Sequence, residues 1–109
     1  MDKMPPYRSN EDAMTAREKS RIRQILKKAL QRFGVKKAGL FGSFLTDEFR
    51  NDSDIDLLVE LGGRKSILDL VELKLTLEDL LNRRIDVVTY RSLNPLLRRS
   101  VLATEERLI

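Results

Sequence analysis

The sequence predicts an α+β fold, in which helices pack against one small β-sheet. Its length of 109 residues suits a single domain with a modest core. Apolar residues recur at helical spacing in two long segments, and three short apolar runs are typical of strands. The predicted order is helix, strand, short helix, strand, helix, strand, helix. We expect one domain at residues 14–109, preceded by a flexible polar tail at residues 1–13.

The first helix is predicted from its capping residues and its apolar stripe. Thr15 and Glu18 have the spacing of a capping box, and Gly34 suits the end of the helix. The residues between them that recur at helical spacing are Ile22, Ile25, Leu26, Ala29, Leu30 and Phe33.

Two further helices are predicted from similar signals. Ser66 and Asp69 cap a long helix that extends to about residue 82. Asn94 and Pro95 have the N-cap and first-turn chemistry of the last helix. The apolar residues of the long helix are Ile67, Leu70, Val71, Leu73, Leu77, Leu80 and Leu81, and the face around Leu73 and Leu77 suits either the core or an interface.

Three runs predict the strands of the sheet. They are VKKAGLF at residues 35–41, DIDLLVE at residues 54–60 and RIDVVTY at residues 84–90. Residues 43–49 are expected to form one or two helical turns between the first two strands. Gly62 and Gly63 close the second strand.

The composition limits the chemistry that is available. The chain has no cysteine and no histidine, which excludes disulfides, thiolate metal sites and the commonest general base. Catalysis would therefore depend on carboxylates, hydroxyls, Lys and Arg, with a hard, oxygen-preferring metal. No apolar run approaches the roughly 20 residues that span a bilayer, and no signal peptide is evident, so we expect a cytoplasmic protein without a membrane association.

The charge balance is open to two interpretations. The chain has 21 Lys and Arg against 17 Asp and Glu, a net charge of +4. Such an excess favours association with an acidic or polyanionic partner. It is equally typical of a solvated surface that keeps a small domain soluble.

The second strand opens with a pair of carboxylates. Residues two apart in a strand project from the same face, so Asp54 and Asp56 are expected to lie roughly 6–7 Å apart. At an effective dielectric near 20 they repel by about 2–3 kcal/mol. A bound cation would cancel this repulsion, and magnesium is favoured because it accepts carboxylate and phosphate oxygens. The alternative is that both acids lie at an exposed strand end, where water screens them.

Other residues would complete such a site. Asp86 interrupts the apolar third strand, and beside the first pair it would give a two-metal geometry for phosphoryl transfer. An exposed strand face also tolerates an isolated Asp, and spacing alone does not show which strands are adjacent. Gly42 permits close backbone approach, and Ser43 offers a hydroxyl and an amide for phosphate, although a simple turn explains this pair as well.

In combination these motifs resemble a known family. Gly42-Ser43-Phe44, then Ser53-Asp54-Ile55-Asp56-Leu57, then Asp86 in a strand, resemble the nucleotidyltransferases of the DNA polymerase beta type. The short chain is similar to their minimal members, the MntA-like antitoxins of HEPN/MNT toxin–antitoxin systems. The resemblance implies the small mixed sheet of the polymerase beta-like palm, packed with helices.

The resemblance also implies roles for individual residues. Gly42 and Ser43 would contact the nucleotide triphosphate. Asp54 and Asp56 would bind two Mg²⁺ ions, and Asp86 would help to hold the catalytic metal and favour deprotonation of the attacking hydroxyl. The expected reaction moves AMP from ATP to a hydroxyl, such as that of tyrosine, on a HEPN-type toxin.

The chain departs from the family pattern after its Gly-Ser-Phe motif. Relatives commonly have Arg and Gly in this turn, where this chain has Thr46 and Asp47. Asp47 and Glu48 add negative charge near the expected triphosphate, which would weaken nucleotide binding. Candidates to offset that charge are Arg50, Arg64 and Lys65, although an ordinary solvated surface charge explains each of them as well.

Three hypotheses about function follow. The first is an adenylyltransferase that modifies a partner toxin, with an acceptor surface supplied by that partner or by a second copy of the chain. The second is a non-catalytic antitoxin that neutralises a toxin by occlusion. The third is a nucleic-acid-binding module, which the absence of an RNA-binding motif disfavours.

Overall fold

The computed structural model describes residues 13–109, which form one four-stranded sheet with helices on both faces. We label the helices α1 to α3 and the strands β1 to β4. In chain order they are α1 (Ala16–Phe33), β1 (Val35–Phe41), a 3-10 turn (Gly42–Leu45), β2 (Ile55–Leu61), α2 (Ile67–Leu81), β3 (Ile85–Thr89), α3 (Pro95–Thr104) and β4 (Glu106–Arg107).

The capping residues set the helix boundaries as predicted. Glu18 accepts the Thr15 amide at 2.9 Å, and the Thr15 hydroxyl accepts the Glu18 amide at 3.1 Å, which completes the capping box. Gly34 ends α1 in the left-handed region at φ 79°. Ser66 and Asp69 cap α2, with a 2.6 Å bond from the Ser66 amide to the Asp69 carboxylate.

The sheet combines two kinds of strand pairing. Its order is β3-β2-β1-β4, with β1 antiparallel to β2 and to β4, and β2 parallel to β3. The parallel pair is connected through α2, as a crossover between parallel strands requires. This confirms the predicted α+β fold and mixed sheet.

The two faces of the sheet are chemically different. One face packs on α1 and α2 through a buried core that includes Leu57, Leu73 and Leu77. The other face, here called the carboxylate face, carries Asp56, Leu58, Asp86 and Val88, because side chains alternate along each strand. Here α3 covers the part around Leu58 and Tyr90, so Asp56 and Asp86 lie at the uncovered end.

Two features differ from the sequence prediction. The chain after α3 adds β4 to the edge of the sheet, where Leu108 donates to the Ala38 carbonyl at 2.8 Å. The segment predicted as one or two helical turns at residues 43–49 is a single 3-10 turn. The sequence left open whether the face of α2 around Leu73 and Leu77 is core or interface, and in the structure both leucines are fully buried.

The predicted tail lies outside the described residues apart from Ala13, which forms an isolated bridge with Arg50. Within residues 13–109, no helix is both long and apolar enough to cross a membrane.

Candidate active site

The parallel pairing of β2 and β3 places two of the three predicted carboxylates side by side. Asp56 and Asp86 are register partners on adjacent strands, which lie about 4.8 Å apart in a sheet. Asp54 directly precedes β2, which begins at Ile55. The fold thus supplies the adjacency that spacing alone did not provide.

Asp56 lies in an electrostatically unfavourable position. Its side chain is partly buried, and burial raises the pKa of its carboxyl above the usual value of 3.8. The negative charges of Asp86 and then Asp54 raise the pKa further. A cation at this position would remove most of the repulsion.

Asp54 turns toward solvent and a neighbouring cation. Its carboxylate lies 3.9 Å from Arg84 Nε, and the two side chains are 49% and 85% exposed, so the pair is weak. Within residues 13–109, no three acidic side chains converge closely enough to hold a metal ion as they stand. Carboxylate oxygens are the ligands that Mg²⁺ prefers, so the chemistry of these three side chains suits that ion.

The Gly-Ser turn lies directly against this cluster. Gly42 follows Phe41, the register partner of Asp56 on β1. Gly42 has φ 75°, and a Cβ at this position would clash with the Asp56 carboxylate. Glycine is therefore required both by the backbone conformation and by the proximity of Asp56.

Buried aromatic side chains anchor the turn to the core. The Phe44 and Phe49 rings meet edge to face, with centroids 4.8 Å apart, and both are fully buried. Ser43, between this anchor and the carboxylates, is exposed. Its hydroxyl and amide are therefore accessible to a ligand beside Asp56.

Thr46, noted above as a departure from the family pattern, closes the turn. Its hydroxyl donates to the Ser43 carbonyl at 2.8 Å and accepts the Glu48 amide at 3.2 Å. Lys19 on α1 donates to the Thr46 carbonyl at 2.7 Å. Thr46 thus has a structural role in this chain, while Asp47 and Glu48 remain exposed at the surface.

The basic residues suggested to offset the charge of Asp47 and Glu48 lie at both ends of the sheet. Arg64 and Lys65 follow the carboxyl end of β2, whereas Asp56 is near its amino end. Lys65 lies over the Phe33 ring, 5.2 Å from its centroid. Arg64 and Lys65 are exposed and lie at the opposite end of β2 from Asp56, as ordinary surface charges would. Arg50 is near the site, and its amide donates to Ser53 Oγ at 3.0 Å.

Arg83 is a residue of this region that the sequence analysis missed. Its guanidinium donates to the Ser53 carbonyl at 2.8 Å and the Arg50 carbonyl at 3.3 Å. It also lies over the Phe49 ring, 5.0 Å from the centroid. Arg83 thus fixes the loop that leads into Asp54. The sequence around Arg83 gave no signal of this role, because the loop that Arg83 contacts lies 30 to 33 residues earlier in the chain.

Comparison with protein families gives one match that covers most of the chain. Residues 21–109 match the model of the polymerase beta nucleotidyltransferase domain. The match includes β1, the Gly-Ser turn and all three carboxylates.

Two curated relatives are similar over most of their length. The chain is 51% identical to a Methanocaldococcus jannaschii protein named as a protein adenylyltransferase, over 67% of this chain and 78% of that protein. It is 40% identical to the protein adenylyltransferase MntA of Thermococcus cleftensis, over 82% of this chain and 91% of the relative.

Solved structures share the same fold. One described as a minimal nucleotidyltransferase has a TM-score of 0.71 and 38% identity, covering 86% of this chain and 94% of the other. A toxin–antitoxin structure with AMP-PNP has a TM-score of 0.66 and 27% identity, covering 80% and 72%. A chain from a tri-AMPylated Shewanella oneidensis HEPN toxin in complex with an MNT antitoxin has a TM-score of 0.65, covering 84% and 71%, and at 22% identity shows the fold alone.

Proposed function

The chain belongs to the polymerase beta nucleotidyltransferase family, as its motifs predicted, and we propose that it transfers AMP from ATP to a hydroxyl group of a partner toxin. The acceptor is a hydroxyl group on a HEPN-type toxin, most simply that of a tyrosine. Its modification inactivates the toxin. The chain is then the antitoxin of the pair.

One observation carries this proposal. The strand register pairs Asp56 with Asp86, and the turn at Gly42 lies against the Asp56 carboxylate. A turn suited to bind phosphate and a cluster of acidic side chains are thus adjacent on an uncovered part of the sheet. The family's reaction requires both, and no histidine or cysteine is needed.

The chain's own residues have distinct roles in this proposal. Ser43 donates its hydroxyl and amide to the triphosphate, and Gly42 leaves room for it. Asp54, Asp56 and Asp86 would hold two Mg²⁺ ions, which would supply positive charge that neutralises phosphate and favours loss of the proton from the acceptor hydroxyl. Asp86 would favour that deprotonation, and the acceptor oxygen bonds to the α-phosphorus as the bond to pyrophosphate breaks. Positioning and electrostatics provide the acceleration.

The partner is supported by the relatives. The 40% identical relative carries the name MntA, and the 27% identical structure with AMP-PNP is of a toxin–antitoxin pair. These relatives support a separate protein as the acceptor, which would meet the carboxylate face.

Labelling with ATP that carries the label on its α-phosphate tests the reaction. With Mg²⁺ and an extract of the source cell, we expect one labelled protein whose mass identifies the acceptor. The same extract with the double variant Asp54→Asn/Asp56→Asn should give no label.

A matched control separates loss of chemistry from loss of folding. Asp47→Asn/Glu48→Gln removes two exposed acids from the neighbouring loop and should retain or increase labelling. If the wild type labels nothing while it still binds and neutralises its toxin, the chain acts by occlusion and the enzymatic proposal is wrong.

A further inference from the structure

Helix α2 is apolar on two opposite sides. One side carries Leu73 and Leu77, which are buried against the sheet. The opposite side carries four large apolar side chains, here called the outer stripe: Ile67 (76% exposed), Leu68 (79%), Val71 (47%) and Leu75 (59%).

The outer stripe has the geometry of a helix-packing surface. Its members recur at intervals of three and four residues and so form one continuous line along the helix. A surface helix normally presents polar residues on this side, and a helix that is apolar all round is normally buried. Scattered exposed leucines need no explanation, whereas a contiguous stripe marks an interaction site.

The charges at the ends of α2 indicate what covers the stripe. Arg64, just before α2, and Asp79, near its end, are both exposed. Other charges near these ends have partners within the chain: Asp69 caps the first turn, Lys65 lies over the Phe33 ring and Glu78 accepts the Ile85 amide. In an antiparallel pair of α2 helices, Arg64 of each copy would lie near Asp79 of the other.

The exposed charges lie almost symmetrically about the centre of the outer stripe. Arg64 is seven residues before Val71, and Asp79 is eight residues after it. A two-fold axis near Val71 would pair the basic end of each α2 with the acidic end of its mate. It would also place each Ile67 opposite Leu75 of the other copy. Both the apolar and the charged parts of this surface are thus self-complementary, as an isologous interface requires.

We propose that the chain forms a symmetric dimer in which the outer stripes of two antiparallel α2 helices pack against each other. Because α2 lies on the sheet face opposite Asp56 and Asp86, both candidate active sites remain open in this dimer. One dimer then presents two independent sites. This inference does not depend on the proposed transfer reaction.

The interface is small, so the dimer dissociates on dilution. Helix α2 has 15 residues and is about 22 Å long. A contact limited to one helix pair is at the low end of specific interfaces. Sedimentation velocity from about 1 to 500 µM covers the range expected for such affinities. The wild type should shift from the monomer mass of 12.6 kDa to twice that value.

Two variants test the apolar part of the interface. Leu68→Glu should weaken dimerisation at least about tenfold, because it places a charge in the centre of the contact. The matched control is Leu96→Glu on α3, where the leucine is 89% exposed and lies outside the outer stripe. This control should dimerise like the wild type, and circular dichroism should show that both variants are folded.

A charge exchange tests the antiparallel arrangement. Arg64→Glu should weaken the dimer, and the double variant Arg64→Glu/Asp79→Lys should restore it. Asp79 is the better choice because Glu78 also accepts the Ile85 amide at 3.0 Å. A parallel or unrelated contact would not show this rescue.

Two outcomes would overturn the proposal. One is a wild type that remains monomeric at every concentration. The other is that Leu68→Glu abolishes co-purification of the toxin but leaves the oligomeric mass of the isolated chain unchanged. The outer stripe would then bind the toxin rather than a second copy. Because α2 is remote from the carboxylates, Leu68→Glu should retain AMP transfer. Loss of dimerisation is thus separable from failure of the proposed reaction.

Discussion

Asp56 is partly buried between the negative charges of Asp86 and Asp54, and burial and both neighbours raise its pKa. The folded protein therefore binds this proton more tightly than the unfolded chain does. Its contribution to stability is present below the usual pKa of 3.8 and is lost as the pH rises through the higher folded pKa. At neutral pH the charged carboxylate destabilises the fold.

This sign gives a prediction for Asp56→Asn. Without divalent ions, the variant should have a higher Tm than the wild type at neutral pH, and the difference should shrink as the pH falls below about 4. Differential scanning calorimetry from pH 3 to pH 8 measures both. Asp47→Asn in the neighbouring loop is the control and should leave the pH dependence unchanged. A lower Tm for Asp56→Asn at neutral pH would show that no such repulsion exists.

Two glycines with positive φ allow the role of Gly42 to be isolated. Gly42 and Gly63 have φ of 75° and 64°, so alanine costs about 1–2 kcal/mol of backbone strain at either position. Only Gly42→Ala also meets a side chain, the Asp56 carboxylate, whereas a Cβ at Gly63 has nothing within 4 Å. We expect Gly42→Ala and Gly63→Ala to lower the free energy of unfolding by similar amounts through backbone strain. Only Gly42→Ala should lose AMP transfer. Equal activity in the two variants would contradict the assigned proximity of Gly42 to the site.

Arg83 is expected to be a positioning residue, since it holds the loop before Asp54 through two carbonyls. Arg83→Met leaves both carbonyls without this donor and should destabilise the domain by about 1–3 kcal/mol. At temperatures well below the Tm, Arg83→Met should also reduce kcat for AMP transfer. Arg83→Lys should recover part of that loss. The control is Arg84→Met, where the exposed pair with Asp54 contributes less than about 1 kcal/mol. Unchanged kcat in Arg83→Met would leave Arg83 a purely structural role.

At the scale of elements, the short strand β4 protects the edge of β1. It pairs with Gly39 and Leu40, and Arg23 on α1 forms a two-bond ion pair with Glu106 at 2.6 and 3.0 Å. Tyr90 Oη also donates to the Glu105 carboxylate beside Gly39. These contacts connect the chain after α3 to both faces of the sheet.

Deleting residues 105–109 should therefore lower the free energy of unfolding by more than about 2 kcal/mol and expose an unpaired edge. Urea denaturation measures the first effect, and light scattering measures the aggregation that an open edge promotes. Arg107→Ala, which removes a side chain bonded mainly to the Ile109 carbonyl, is a milder control. A truncated chain as stable as the full one would show that β4 is dispensable.

The elements were predictable where local signals were strong. Thr15, Gly34, Ser66 and Asn94 identified helix ends, because capping chemistry is local in sequence. Strand β4 was missed because two residues show no periodicity and are held only by pairing with β1. The sequence left the buried face of α2 open, because the apolar residues of this helix lie on two sides rather than one.

At the scale of the whole molecule, the candidate site depends on strand order. The motifs at Gly42, Asp54 and Asp86 were visible in the sequence, whereas the adjacency of Asp56 and Asp86 required the parallel pairing of β2 with β3. Arg64 and Lys65 lie away from these carboxylates, beyond the opposite end of β2. The distances between motifs depend on the tertiary fold and cannot be obtained from their spacing in the sequence. The roles of the three carboxylates in binding Mg²⁺ and ATP stay predictions.

The central claim is that these carboxylates carry AMP transfer to a partner toxin. Intact-mass spectrometry of the toxin, co-expressed with either the wild-type chain or Asp56→Asn/Asp86→Asn, tests it most directly. We predict a toxin that gains whole AMP groups with the wild type and keeps its unmodified mass with the variant. A toxin that is inactive but unmodified with both chains would contradict the claim and show that binding alone neutralises it.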